Sequence, residues 1–192
     1  LKLLLATHNE HKRREFERLL VSRDGVRWQV QALPDDVELP PEDGETFAAN
    51  ALGKARAAAA ATGCATIADD SGIEAAALGG APGVRSARYA GEHASDEQNL
   101  RKLLREAPAR SALEYVCAIA YVDPAGSIEQ VFEGRCAGRL DPAPRGSRGF
   151  GYDPAFAPDD GPPGLTMAEL SDRQKDEISH RGHAARALIA WL

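Results

Sequence analysis

Strand-like and helix-like runs alternate along the first half of this chain and are followed by two long strand-like runs, an order that leaves few architectures open. Lys2 to Ala6 predicts a strand, and Lys12 to Leu20 a helix whose Phe16, Leu19 and Leu20 share one face at i, i+3, i+4 spacing. Arg27 to Leu33 predicts a second strand. A loop rich in Pro and acidic residues, 34–45, then leads to Thr46, a helix N-cap, and that helix runs to about Thr62 and stops at Gly63. Its run Ala57 to Ala61 favours helix and presents only small side chains, which lets it pack close to a sheet. Ala65 to Ala68 predicts a short buried strand that delivers Asp69, Asp70, Ser71 and Gly72 at its C-terminal end, where α/β proteins bind ligands. Ser95 and Gln98 form a capping-box pattern opening a helix to about Glu106. Leu113 to Val122 and Ser127 to Cys136 flank the turn residues 123–126 and predict a hairpin. After a second loop-rich tract, 141–165, a terminal helix carries Ala185, Leu188, Ile189 and Leu192 on one face. The expected fold is α/β around a mixed sheet, with 1–192 as one two-lobed domain.

Composition narrows the partners. With 192 residues, 43% hydrophobic and 27% charged, the chain has the mix of a loop-rich globular enzyme. No stretch approaches the roughly 20 apolar residues of a transmembrane helix, and the run Leu3 to Ala6 is too short for a signal-peptide core, so no membrane partner and a cytoplasmic place are expected. A net charge of -6, with no basic run, argues against a nucleic-acid polymer as partner. Cys64, Cys117 and Cys136 are odd in number and lack CxxC spacing, which suggests neither a disulfide framework nor a zinc site.

Four groups of residues can carry chemistry. Thr7, His8, Asn9, Glu10, His11 and Lys12 lie between a strand and a helix, so backbone N–H groups and the helix N-terminus offer an anion site to which Lys12 adds a point charge. An ordinary polar loop is the other reading. Asp69 and Asp70 are adjacent carboxylates at the end of a buried strand and repel each other unless a cation or proton is near, which a hard-cation site explains. Strand alternation turns them to opposite sides, so one can face a ligand while the other is structural. Glu42 is either a second ligand, since Mg2+ takes one or two carboxylates plus substrate phosphates, or a solvated loop charge. Phe150, Gly151, Tyr152, Asp153 and Pro154 place two aromatics around a glycine, giving a slot for a stacked base or a core-anchoring turn. Ser179, His180 and Arg181 precede the last helix, with Lys175 upstream, and either donate to phosphates or base oxygens or serve as cap and surface charge.

These pieces occur in one order: Ala6-Thr7-x-Asn9-x-x-Lys12, Gly44-x-Thr46-Phe47, Asn50-Ala51-x-x-Lys54-Ala55 and Ala68-Asp69-Asp70-Ser71-Gly72. They continue as Gly79-Gly80-Ala81-Pro82-Gly83, Ser86-Ala87-Arg88-Tyr89, Phe150-Gly151-Tyr152-Asp153-Pro154, Ala168-Glu169-Leu170, and Lys175 with Ser179-His180-Arg181. The ordered set, spanning Leu3 to Arg181, resembles the inosine triphosphate pyrophosphatase family, which hydrolyses non-canonical purine nucleoside triphosphates. The resemblance implies an elongated central mixed sheet flanked by helices, two lobes with a nucleotide cleft between them, a homodimer, and Mg2+-dependent conversion of ITP, dITP and XTP to monophosphate and pyrophosphate. By the same resemblance, Thr7 to Lys12, Lys54, Ser71 and Lys175 match triphosphate-binding positions, and Phe150 to Asp153, His180 and Arg181 base-binding ones. Asp70 matches the general base and metal ligand, and Glu42 the second acidic ligand. Arg181, with His180, is expected to read the purine 6-oxo group.

Two positions depart from the family pattern. His8 stands where a small residue is common, so the loop must avoid positive φ or carry strain. Ala49 replaces the Glu that would complete a capping box with Thr46. Two other functions compete with this one: a pyrophosphatase for other nucleotides, such as the related Maf-like enzymes acting on pyrimidines, and a non-catalytic nucleotide-binding module.

Overall fold

A computed structural model describes residues 2–20, 28–125 and 127–192. Arg27 of the expected second strand and Gly126 of the expected turn lie outside the described residues. The strands are β1 (Lys2–Leu5), β2 (Gln29–Ala32), β3 (Thr66–Ala75), β4 (Ala112–Val122), β5 (Glu129–Leu140) and β6 (Phe156–Pro158). The helices are α1 (Glu10–Leu19), α2 (Phe47–Thr62), α3 (Asp96–Glu106), α4 (Asp172–Ile178) and α5 (His180–Trp191). One six-stranded sheet has the order β2-β1-β3-β4-β5-β6. It is mixed: β1 pairs parallel with β2 and β3, while β5 and β6 pair antiparallel. The α/β fold follows the alternation in the sequence. No described helix is long and apolar enough to cross a membrane.

The chain divides into two compact units, one of Leu1–Asp70, Cys117–Gly134 and Arg181–Leu192, the other of Ser71–Val116 and Arg135–His180. In the first, Leu3, Leu5, Ile67, Cys117 and Ile119 from the strands meet Phe16 and Leu20 of the α1 region and Ala184, Ala185 and Leu188 of α5. Helix α2 is capped by Thr46, whose hydroxyl accepts from the Ala49 N–H, and ends at Gly63 in a left-handed conformation. Ala51, Ala55, Ala58 and Ala59 are buried along it, which gives its small-residue face a packing role.

In the second unit Ile73, Leu100, Leu103, Leu113, Tyr115, Cys136, Leu140, Phe156 and Met167 share one core. Ser95 and Gln98 close the capping box of α3, as the sequence predicts. Strand β6 was not expected in the loop-rich tract 141–165, since three residues ending in proline carry no periodicity. Its register is protected by Gly138, where an added Cβ would stand 2.6 Å from the Ala157 carbonyl oxygen.

Two further differences bear on the site. Strand β3 does not stop at Ala68 but continues to Ala75, so Asp69, Asp70 and Ser71 lie inside it. Asp is a poor strand former in general, but here the carboxylates are buried against partners and Ile73 and Ala75 extend the strand into the second core. Residues His180 and Arg181 form the first turn of α5 rather than preceding it.

Candidate active site

The first unit holds a set of charges around the middle of β3. At the β1–α1 junction Asn9 caps the helix: its side-chain oxygen accepts from the His11 N–H at 2.9 Å and the Lys12 N–H at 3.1 Å. Thr7 in turn accepts from the Asn9 N–H at 3.2 Å. Among the described residues Arg110 is the one non-glycine with positive φ, so the loop meets the demand of His8 by avoiding that region. His8, Glu10 and His11 are exposed, and Glu10 is paired with Arg13 and Arg14, which hold its carboxyl down to about 2. Lys12 instead turns inward, its ammonium 3.1 Å from Asp69 Oδ2.

Asp69 and Asp70 look to opposite sides of β3, as strand alternation requires. Asp69 is fully buried, and Arg181 donates to its Oδ2 from Nη2 at 3.0 Å and Nε at 3.3 Å. Burial alone would raise the Asp69 carboxyl, but Lys12, Arg181 and Lys54 outweigh it and hold it below the usual carboxylate range. Asp70 faces α2 and accepts from Asn50 Nδ2 at 2.8 Å. Its carboxyl is raised, first by burial; Lys54 pulls it down and Glu42 pushes it up. Two neighbouring carboxylates are therefore set apart by environment, a pattern that separates roles.

Lys54 projects from the alanine face of α2, donating to the Asp69 carbonyl at 2.7 Å and to the Glu42 carboxylate. Burial disfavours its charge, yet Asp69, Glu42 and Asp70 together raise it above an ordinary lysine. Glu42 and Asp70, brought to one ammonium, are a hard-oxygen donor pair of the kind Mg2+ accepts, with phosphate and water as remaining ligands. Among the described residues no group of three or more His, Cys, Asp or Glu forms a fuller cage. The repulsion between Glu42 and Asp70 fits a cation at this pair. Ala49 supplies no carboxylate, and Thr46 keeps its half of the cap without it.

In the second unit Asp153 is a hub. Its carboxylate accepts from the Tyr115 hydroxyl at 3.0 Å, the Phe150 N–H at 3.0 Å and the Lys175 ammonium at 2.7 Å. Gly149 is needed beside it, since a Cβ there would sit 2.0 Å from Asp153 Oδ2 and φ is +72°. Lys175 also lies 5.2 Å from the centre of the half-buried Phe150 ring. Tyr152 is buried and its hydroxyl donates to the Ser86 carbonyl at 2.7 Å, so it anchors the core while Phe150 is the aromatic left at the surface of this set. Gly151 supplies the left-handed residue between them, with φ +63°. His180 stacks on Tyr115 with ring centres 4.5 Å apart. Burial, then Asp153, pushes the Tyr115 hydroxyl well above its ordinary range and keeps it a donor.

Three of these residues stand in settings that the sequence does not predict. Arg181 is expected at the purine base, but it is 1% exposed with its guanidinium on Asp69 and on Glu15, because two buried carboxylates claim the one cation that can bridge them. Lys175 is buried, with its ammonium on Asp153 at 2.7 Å. Tyr152, matched to the base, is committed to the core. Ser71 is half-buried on β3 just beyond Asp70.

Glu15 and Tyr115 are not singled out in the sequence, and Asn50 stands there in a motif without a role of its own. Asn50 and Lys54 are polar residues four apart on an otherwise alanine face, and Glu15 is three residues from Lys12 on α1. Those spacings are signals that could have found them. Tyr115 sits in an apolar strand and carries no such mark.

The comparisons with known proteins agree over the full length. The dITP/XTP pyrophosphatase of Mycolicibacterium paratuberculosis is 47% identical over 197 aligned residues, covering 99% of this chain and 95% of that protein. The dITP/XTP pyrophosphatase of Symbiobacterium thermophilum is 48% identical, with 97% and 93% covered. Among solved structures, a HAM1 protein from Coxiella burnetii superposes with a TM-score of 0.85 at 36% identity, covering 100% of this chain and 98% of that one. The Staphylococcus aureus Ham1 protein gives 0.81 at 39%, with 100% and 97% covered. Residues 3–191 match the Ham1 family, and this chain belongs to that family.

Proposed function

We propose that this chain is a metal-dependent hydrolase that converts non-canonical purine nucleoside triphosphates, such as ITP, dITP and XTP, to the monophosphate and pyrophosphate, clearing them from the nucleotide pool. The observation that carries this reading is the opposed setting of Asp69 and Asp70, one held by Lys12 and Arg181 at 3.1 and 3.0 Å and the other on the neutral Asn50 at 2.8 Å. The names of the relatives at 44 to 48% identity support the substrate class.

In this reading Asp70 orients a water toward the α-phosphorus and takes its proton; a carboxylate raised toward working pH suits a general base. Lys12 and Lys54 bring positive charge to the phosphates and offset the charge that grows on the departing pyrophosphate. Thr7 stands in the β1–α1 loop that leads into the helix carrying Lys12, and Ser71 adds a hydroxyl next to Asp70. Mg2+ held by Glu42 and Asp70 would neutralise phosphate charge as a Lewis acid. For base recognition the family resemblance offers Phe150 as a stacking face, and Lys175 and His180 are donors of the kind a 6-oxo group takes. Adenine carries an amino group there, so donor would meet donor. A homodimer and a cytoplasmic place complete the reading, on the family resemblance and on three cysteines that form no disulfide.

The test is a panel of ITP, XTP, ATP, GTP, dTTP and UTP, with and without Mg2+, followed by pyrophosphate release. Release from ITP and XTP only with Mg2+ is expected, with ATP slower by up to about 10⁴-fold. Fastest turnover of dTTP or UTP would favour a pyrimidine enzyme, and tight binding without turnover a binding module.

A further inference from the structure

We infer that Glu15, a residue of α1 with no part in the chemistry above, is a positioning residue for the Lys12 ammonium, acting through Arg181 and Asp69. The inference rests on the reading that Lys12 meets the triphosphate. Glu15 and Lys12 stand three residues apart on α1 and so share a face. Between their charges runs a closed chain of contacts. Glu15 Oε2 accepts from Arg181 Nη1, Arg181 Nη2 and Nε reach Asp69 Oδ2 at 3.0 and 3.3 Å, and Lys12 Nζ lies 3.1 Å from that same oxygen.

The details give the chain a direction. Glu15 is 6% exposed, Arg181 1% and Asp69 0%, whereas the Lys12 side chain keeps 13% of its surface open. Three members are therefore interior and the fourth is the one that can meet a ligand. Asp69 Oδ1 has no hydrogen-bond partner among the described residues, so the carboxylate's rotation is set at Oδ2 alone, by Arg181 and Lys12. The guanidinium is a rigid plane with donors on fixed edges, so fixing one edge fixes the other. Glu15 fixes the first edge, and the Phe16 ring lies 5.9 Å from the guanidinium carbon. The three interior members carry one net negative charge, which the Lys12 ammonium balances from the open end. Loss of Glu15 would free the guanidinium to turn, Asp69 to follow it, and the Lys12 ammonium to leave its place.

A double-mutant cycle separates this role from plain structural support. We expect Glu15→Gln to lower kcat/KM for ITP by about 10-fold, within the coupling range of residues in one ion-pair network, and by less than about 2-fold when Lys12 is already Ala. Equal losses in both backgrounds would overturn the inference, since a residue that only supports the fold does not need Lys12 to be felt. Melting curves report folding; if Glu15→Gln unfolds, Arg181→Lys, which keeps the charge but not the fork, goes through the same cycle with the same outcomes. If the wild type turns over neither ITP nor XTP, the proposed function fails, and the cycle is then read on pyrophosphate affinity by calorimetry, where coupling supports the inference and additivity overturns it.

Discussion

Asp70→Asn is expected to lower kcat for ITP by about 100-fold or more while the protein melts close to wild type. General-base assistance is typically worth about 10² to 10⁴, and the amide cannot take a proton from water. The fold should tolerate it. Asp70 carries a raised carboxyl and accepts from the neutral Asn50, and the buried Lys54 ammonium beside it keeps its contacts with the Glu42 carboxylate and the Asp69 carbonyl when the Asp70 charge is lost. The new amide can keep its oxygen on Asn50 Nδ2, while the Asn50 oxygen stays with the Gly44 N–H at 2.8 Å. Steady-state rates with saturating Mg2+ make the comparison, with Asp69→Asn run beside it. Full activity in Asp70→Asn and none in Asp69→Asn would exchange the roles of the two carboxylates.

Arg181→Ala should be the most destabilising single change in the first unit, by about 3 to 5 kcal/mol, because it strands Glu15 and Asp69 as buried carboxylates without their shared cation. The magnitude follows from burial on both sides: Arg181 and Asp69 are at most 1% exposed, and water cannot replace the guanidinium. Urea unfolding measures it. A loss within about 0.5 kcal/mol would mean that the carboxylates find other partners, and an intact fold with ITP activity lost but ATP binding kept would return Arg181 to the base.

Much of this was legible in the sequence, for reasons that differ by residue. Thr46, Gly63, Ser95 and Gln98 act through local backbone chemistry, so their positions fixed α2 and the start of α3 before any packing was known. The alternation of strand and helix gave the mixed sheet. What local rules missed is tertiary. Asp69 and Asp70 argue against a strand by propensity, yet β3 continues through them because Lys12, Lys54 and Arg181 arrive from three helices. The ion pairs of Arg181 were not legible because its partners, Glu15 and Asp69, are 166 and 112 residues away in the chain. Tyr115 was hidden in the same way: one polar atom on an apolar strand says nothing until Asp153 is brought to it.

The measurement that bears most directly on the proposed chemistry is hydrolysis of ITP by this chain in water enriched in oxygen-18, with Mg2+, followed by mass analysis of both products. Attack at the α-phosphorus by a water that Asp70 orients places one heavy oxygen in inosine monophosphate and leaves pyrophosphate unlabelled. Label in pyrophosphate would put the attack at the β-phosphorus, and labelled orthophosphate as the first product would mean removal of the terminal phosphate, either of which would contradict the account.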